Sequence, residues 1–145
     1  MKNKTFIVAI LGILISGCEK SATKNVTNVA DVIANIHKWN GKTVVIEGWL
    51  GECGGYDCGL YQSLEDARTV ANGDYKTTSW SEAMGRRLGI GYDETFDGNA
   101  YFLQFKPVIL QARVSDECRR ESTCFDRAPD LSPISIRLNY TKKEH

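Results

Sequence analysis

The chain has 145 residues, 18 basic and 18 acidic side chains, 42% apolar residues and five cysteines. That length suits one domain with its own hydrophobic core. The balanced charge implies no basic face, so no nucleic-acid partner is expected.

The first segment in chain order is an address rather than a fold. Lys2 and Lys4 precede an apolar run from Phe6 to Ile15, and Ser16-Gly17 gives a small-residue exit. Such a run is too short to span a bilayer, which takes about 20 residues as helix. Ile15-Ser16-Gly17-Cys18 resembles the bacterial lipobox, an aliphatic and two small residues before a cysteine that is acylated and becomes the new N-terminus. The resemblance implies a signal peptide over residues 1–17, lipidation at Cys18, and a lipid-anchored cell-envelope protein. Glu19 stands where an aspartate would resemble an inner-membrane retention signal, which implies the outer membrane, facing the periplasm, in a cell with two membranes. Loss of Lys2 and Lys4 lowers the basic count from 18 to 16 against 18 acids, a formal charge of −2 on the mature chain. Residues 18–27, polar after the anchor, read as a tether to a domain over 28–140, with 141–145 a disordered tail.

With Cys18 acylated, Cys53, Cys58, Cys118 and Cys124 remain, an even set that an oxidising compartment pairs. The spacings C-x4-C and C-x5-C match no zinc knuckle, so neither a metal nor a cofactor is expected. Four cysteines allow three connectivities. The favoured one joins 53 to 58 and 118 to 124, because each pair flanks a short turn-rich loop whose ends approach disulfide distance.

Asn28 caps a helix whose stripe is Val29, Val32, Ile33 and Ile36, stopped by Asn40-Gly41. His37 in its last turn is a solvated or dipole-favoured side chain more readily than a catalytic one. "KTVVIEGWL" (42–50) alternates as a strand, with Val44, Ile46 and Leu50 inward and Gly48 allowing a bend. "GLYQS" (59–63) returns as a hairpin, so "ECGGYDC" is its tip, Gly54-Gly55 supplying positive φ and the disulfide clamping both sides. Ser63 with Asp66 and Ser79 with Glu82 open two helices, the first ending at Asn72-Gly73 and the second near Leu88. Residues 89–100 read as loop. The "DETFDGN" within them lacks the ligand spacing of a calcium loop. "YFLQF" (101–105) is a strand candidate, and Val108, Leu110, Ala112 and Val114 form the inner face of another. Ile134, Ile136 and Leu138 form the inner face of the last.

About five strands, one of them bending at a glycine, with an N-terminal helix and a helical insertion before the third strand, make a mainly β, α+β chain: a small barrel of the OB type. "WNGKTVVIEGWL" and "GLYQSLEDAR" resemble the opening of small exported bacterial proteins with an OB-like barrel. In these a Tyr/Trp-x-Gly-Lys turn feeds the first strand, and a Gly-Leu-Tyr strand runs into a Ser-x-Glu-Asp-Ala helix. The resemblance covers residues 28–68 and, more weakly, 101–115. It implies a fold and no activity. The two cysteine loops depart from its pattern.

No nucleophile with a base, paired carboxylate or metal shell is recognisable, so the chain is read as a non-enzymatic binding module for an envelope protein or ligand. An inhibitor or immunity-type lipoprotein is the alternative, and a minor hydrolase is the third class, which a pocket joining His37 to acidic residues would favour. One candidate binding surface is Val45, Trp49 and Tyr61, on the strand faces opposite the core. Helices over 64–88 also need somewhere to pack, and covering these aromatics is the preferred alternative. The other candidate surface is the second cysteine loop with Arg119, Arg120 and Arg127, whose mixed charge reads more readily as solvated rim.

Overall fold

The computed structural model describes residues 25–54, 58–120 and 129–142, with Arg120 described by its backbone alone. The signal segment, Cys18, Cys124, Arg127 and the last three residues lie outside these. In chain order the elements are β1 (Val26–Asn28), α1 (Val29–Ala34), α2 (Ile36–Trp39), β2 (Thr43–Leu50), β3 (Cys58–Tyr61), α3 (Leu64–Asn72) and α4 (Thr78–Gly85). Then follow β4 (Arg87–Ile90), α5 (Glu94–Tyr101), β5 (Pro107–Val114), α6 (Glu117–Arg120) and β6 (Leu131–Leu138).

Five strands close a barrel in the order β2-β3-β4-β6-β5 and back to β2, and β1 adds a sixth. The long strand β2 makes closure work by sharing an edge. β5 pairs along one side of it from Thr43 to Trp49. On the other side β1 runs parallel to Val45–Glu47, and β3 runs antiparallel to Trp49 and Leu50. This is the small OB-like α+β barrel, with the helical hairpin α3–α4 inserted before the third barrel strand. Period-2 alternation turns Val44, Ile46, Leu50, Leu60, Leu88, Ile90, Val108, Leu110, Ala112 and Val114 into the interior. Each of the valine, leucine and isoleucine side chains contributes about 1.5–3 kcal/mol over an exposed one. The expected single helix is broken at Asn35, but its stripe survives: Val29 and Val32 of α1 and Ile36 of α2 close one part of the core, and Phe96 with Ala100 from α5 joins the same cluster. Gly48 is needed for close approach: a Cβ there would lie 2.8 Å from Leu60 Cγ and 2.9 Å from both the Tyr61 carbonyl and Val29 Cγ2.

Several elements differ from the sequence reading. Val26 and Thr27, expected in the tether, are paired in β1. The second inserted helix starts at the Thr77 cap, whose Oγ1 accepts the Trp80 N–H, and stops at Gly85, so Arg87 and Leu88 belong to a strand. Residues 89–100, expected as loop, hold the end of β4 and most of α5. Asp93 caps α5 by accepting the Phe96 N–H at 2.8 Å, and Phe96 and Ala100, four apart, give it a buried face. The strand expected at 101–105 is instead the last residue of α5 and a turn, in which Phe105 takes φ 58°. Ile134 is 56% exposed rather than inward. A register shift between Gln111 and Ala112 pairs them with Ser135 and Pro133, so Ile134 is the extra residue of a bulge. At the hairpin tip Gly54 does not take the expected positive φ, and Gly55 lies outside the described residues. In the expected tail, Thr141 donates through its hydroxyl to Asn139 Oδ1 at 2.7 Å, so the described chain still holds to the barrel there.

Candidate functional site

The hairpin α3–α4 is built to stand on the barrel. Ser63 Oγ accepts the Asp66 N–H and starts α3. The Asp66 carboxylate, itself buried, takes a forked pair of bonds from Arg86 Nε and Nη2 at 3.2 and 2.7 Å, which ties α3 to the residue that ends α4. Trp80 Nε1 donates to the Val70 carbonyl at 3.2 Å across the two helices. The hairpin covers the outer aromatics of β2 and β3: Trp49 and Tyr61 are 6% and 3% exposed and cluster with Ala67, Leu64, Val70 and Phe105. The helices therefore take the surface that Trp49 and Tyr61 could have offered. Val45 sits apart, half-buried between its partners on β1 and β5.

Between this hairpin and the α6 segment lies a cleft of about 730 Å³ on the outer face of β3 and β4. Val70, Trp80 and Met84 form its apolar wall, and Arg87, Arg119 and Asp130 its polar one. Tyr61 and Arg87 are cross-strand partners, as are Gly59 and Gly89. A Cβ on Gly59 would lie 3.1 Å from Tyr61 Cε2 and 3.2 Å from Arg87 Cδ, so the ring and the arginine stem converge over that bare position.

Both cysteine loops border the cleft. Cys53 and Cys58 form the expected disulfide, with Cα atoms 4.2 Å apart, and Gln104 donates to the Cys53 carbonyl from outside the loop. Cys118 is disulfide-bonded and lines the cleft, and its expected partner Cys124 lies outside the described residues. Arg119 donates through Nε to Asp130 Oδ1 at 3.0 Å and through Nη2 to the Arg87 carbonyl at 2.6 Å. Asp130 in turn accepts the Gly89 N–H at 2.9 Å. Arg119 is thus no solvated rim charge: its side chain is 27% exposed and spent on holding the second loop to β4. The Arg120 and Arg127 side chains lie outside the described residues.

His37 does meet an acid, but elsewhere. Its Nδ1 stands 2.7 Å from an oxygen of the buried Asp116, with the imidazole largely exposed, and neither residue lines the cleft. Among the described residues no three His, Cys, Asp or Glu side chains gather to hold a metal ion. Asp97 on α5 is a buried carboxylate of another sort. Neither of its oxygens has a hydrogen-bond partner, and burial first, then the neighbouring Asp93, raises its pKa above the ordinary value.

Arg87, Trp80, Met84 and Asp130 were not singled out by the sequence. The signal for Arg87 was present in "RRLGI", where Arg87 and Gly89 alternate with the inward Leu88 and Ile90. The chain matches no known protein family, no curated protein and no solved structure.

Proposed function

We propose that the chain is a lipid-anchored envelope protein that binds a ligand or partner in the cleft on β3 and β4 and carries out no chemistry there. The observation that carries this is the cleft itself, a concave site with one apolar wall, one charged wall and a rim at which both cysteine loops meet. Among the described residues the lining carboxylates are Glu52, which is exposed, and Asp130, whose bonds to Gly89 and Arg119 occupy it as a structural acceptor rather than a base. Among the described residues no histidine, serine or threonine lines the cleft. Disulfides at both loops fit an exported protein, and the lipobox-like Ile15-Ser16-Gly17-Cys18 supplies the anchor. Among the described residues no helix is long and apolar enough to cross a membrane.

The test is binding by the native lipoprotein, extracted from its own membranes, with and without the double change Trp80→Ala, Met84→Ala. Retention of a partner or small molecule that the double variant loses supports a cleft-bound ligand. A retained envelope or secreted enzyme would make the protein an inhibitor. Equal retention by both forms would remove the cleft from the account.

A further inference from the structure

Among the described lining residues the charges are two of each sign, and two of them, Glu52 at the rim and Arg87 within, make no ion pair. Arg119 is neutralised by Asp130 at 3.0 Å. Glu52 is exposed at the rim. Arg87 is half-buried, and among the described residues it makes no ion pair. Its stem packs beside the Tyr61 ring above Gly59, and its carbonyl is fixed by the Arg119 guanidinium, so the side chain leaves a fixed base into the cleft. Removing a guanidinium from water without a counter-charge is costly, and the cost is recovered when an anion enters. The opposite wall is suited to something else. Trp80 has its only polar atom bonded to the Val70 carbonyl, so the ring presents apolar surface beside Met84 and Val70.

Resting on the binding role proposed above, we infer that the cleft takes a small amphipathic anion bearing one carboxylate, with the carboxylate on Arg87 and the apolar body against Trp80 and Met84. Among the described residues Arg87 is the lining guanidinium without an ion pair, and it matches one negative charge. Its planar fork matches the two oxygens of a carboxylate, and among the described residues the second charge of a phosphate monoester would find no unpaired cation. A volume of about 730 Å³ lies within the range of sites that bury small ligands. Arg87 is then the residue that sets specificity, and Trp80 and Met84 supply affinity shared by any ligand with the same apolar body.

The experiment is calorimetric titration of the full-length lipidated protein in lipid nanodiscs, with empty nanodiscs as reference. Four probes share one apolar body: 3-phenylpropanoate, 3-phenylpropanol, 3-phenylpropylamine and 3-phenylpropyl phosphate. The expected result is that the acid binds roughly tenfold more tightly than the alcohol, with amine and phosphate weaker than the acid. Arg87→Gln should bring the acid down to the affinity of the alcohol and leave the alcohol unchanged, which also shows that the variant is folded. Arg87→Lys should keep part of the preference, and Arg113→Gln, exposed on β5 and outside the cleft, should keep all of it. Equal binding of acid and alcohol, tighter binding of the phosphate, or a preference that survives Arg87→Gln overturns the inference while the cleft stands as a binding site. If none of the four binds, the carboxylate inference is overturned, while the binding role of the cleft is decided by the Trp80→Ala, Met84→Ala retention test.

Discussion

Arg119 and Asp130 hold each other at 3.0 Å and together grip the edge of β4, the arginine on the Arg87 carbonyl and the carboxylate on the Gly89 N–H. They stand where a neighbouring strand would. β4 and β6 share only the ladder pair Ile90 and Leu131, so at this seam a side-chain ion pair satisfies backbone groups that a longer ladder would satisfy elsewhere in the barrel. Asp130→Ala should therefore lose about 1–3 kcal/mol of stability in urea denaturation, because it strands a backbone N–H and a guanidinium together. Asp130→Asn keeps an acceptor for Gly89 and should lose less. Equal, negligible losses would show that the seam does not depend on the pair.

The Cys53–Cys58 bridge closes a short loop beside the cleft. Restricting so small a ring in the unfolded chain is worth about 2 kcal/mol. The Cys53→Ser, Cys58→Ser double variant should thus fold, with a denaturation midpoint lowered to that extent. Peptide mapping of the unreduced protein should join 53 to 58 and 118 to 124. Free thiols at these positions would contradict the pairing.

The barrel was legible because its signal is local. Val44, Ile46 and Leu50, or Val108 to Val114, alternate strictly, and the caps at Asn28 and Ser63 form as their spacing suggests. The stretch 86–105 was not. Its glycines and acids mask a four-residue strand, and the apolar "YFLQF" resembles a strand although Asp93 and the Phe96–Ala100 spacing start a helix before it. The cleft was out of reach for a different reason. Arg87 and Asp130 are 43 positions apart in the chain and meet only through the closing of β4 against β6. Covering of Trp49 and Tyr61 likewise depends on where α3 lands, which no periodicity fixes.

Asp97 sets a pH dependence. Its folded-state pKa lies above the ordinary value of 3.8, so at a pH between the two values the folded chain holds a proton that the unfolded chain has released. The stability from that proton is fully present below the unfolded value and is lost as pH rises through the folded one. Asp97→Asn, which is neutral throughout, should raise the melting temperature at pH 7, and its advantage should shrink as the pH falls toward 4. A variant that is equally or less stable at pH 7 would contradict this.

Anchoring is proposed to rest on Cys18 alone, because the mature chain is polar beyond it. Cys18→Ala should move the protein from the membrane to the soluble fraction, and density-gradient separation of the wild type should place it with the outer membrane in a cell that has two. Unchanged fractionation of the variant would refute lipid anchoring.

We propose that the β3–β4 cleft is where this protein meets its ligand. The direct measurement replaces Met84 on the apolar wall by a photoactivatable phenylalanine in the full-length protein, irradiates producing cells, and weighs the intact protein. Tyr101, exposed on α5 and outside the cleft, serves as the control position. The account predicts a discrete added mass at position 84 that is absent at position 101 and lost when Trp80→Ala is combined with the probe. No adduct at 84, or the same adducts at both positions, would contradict it.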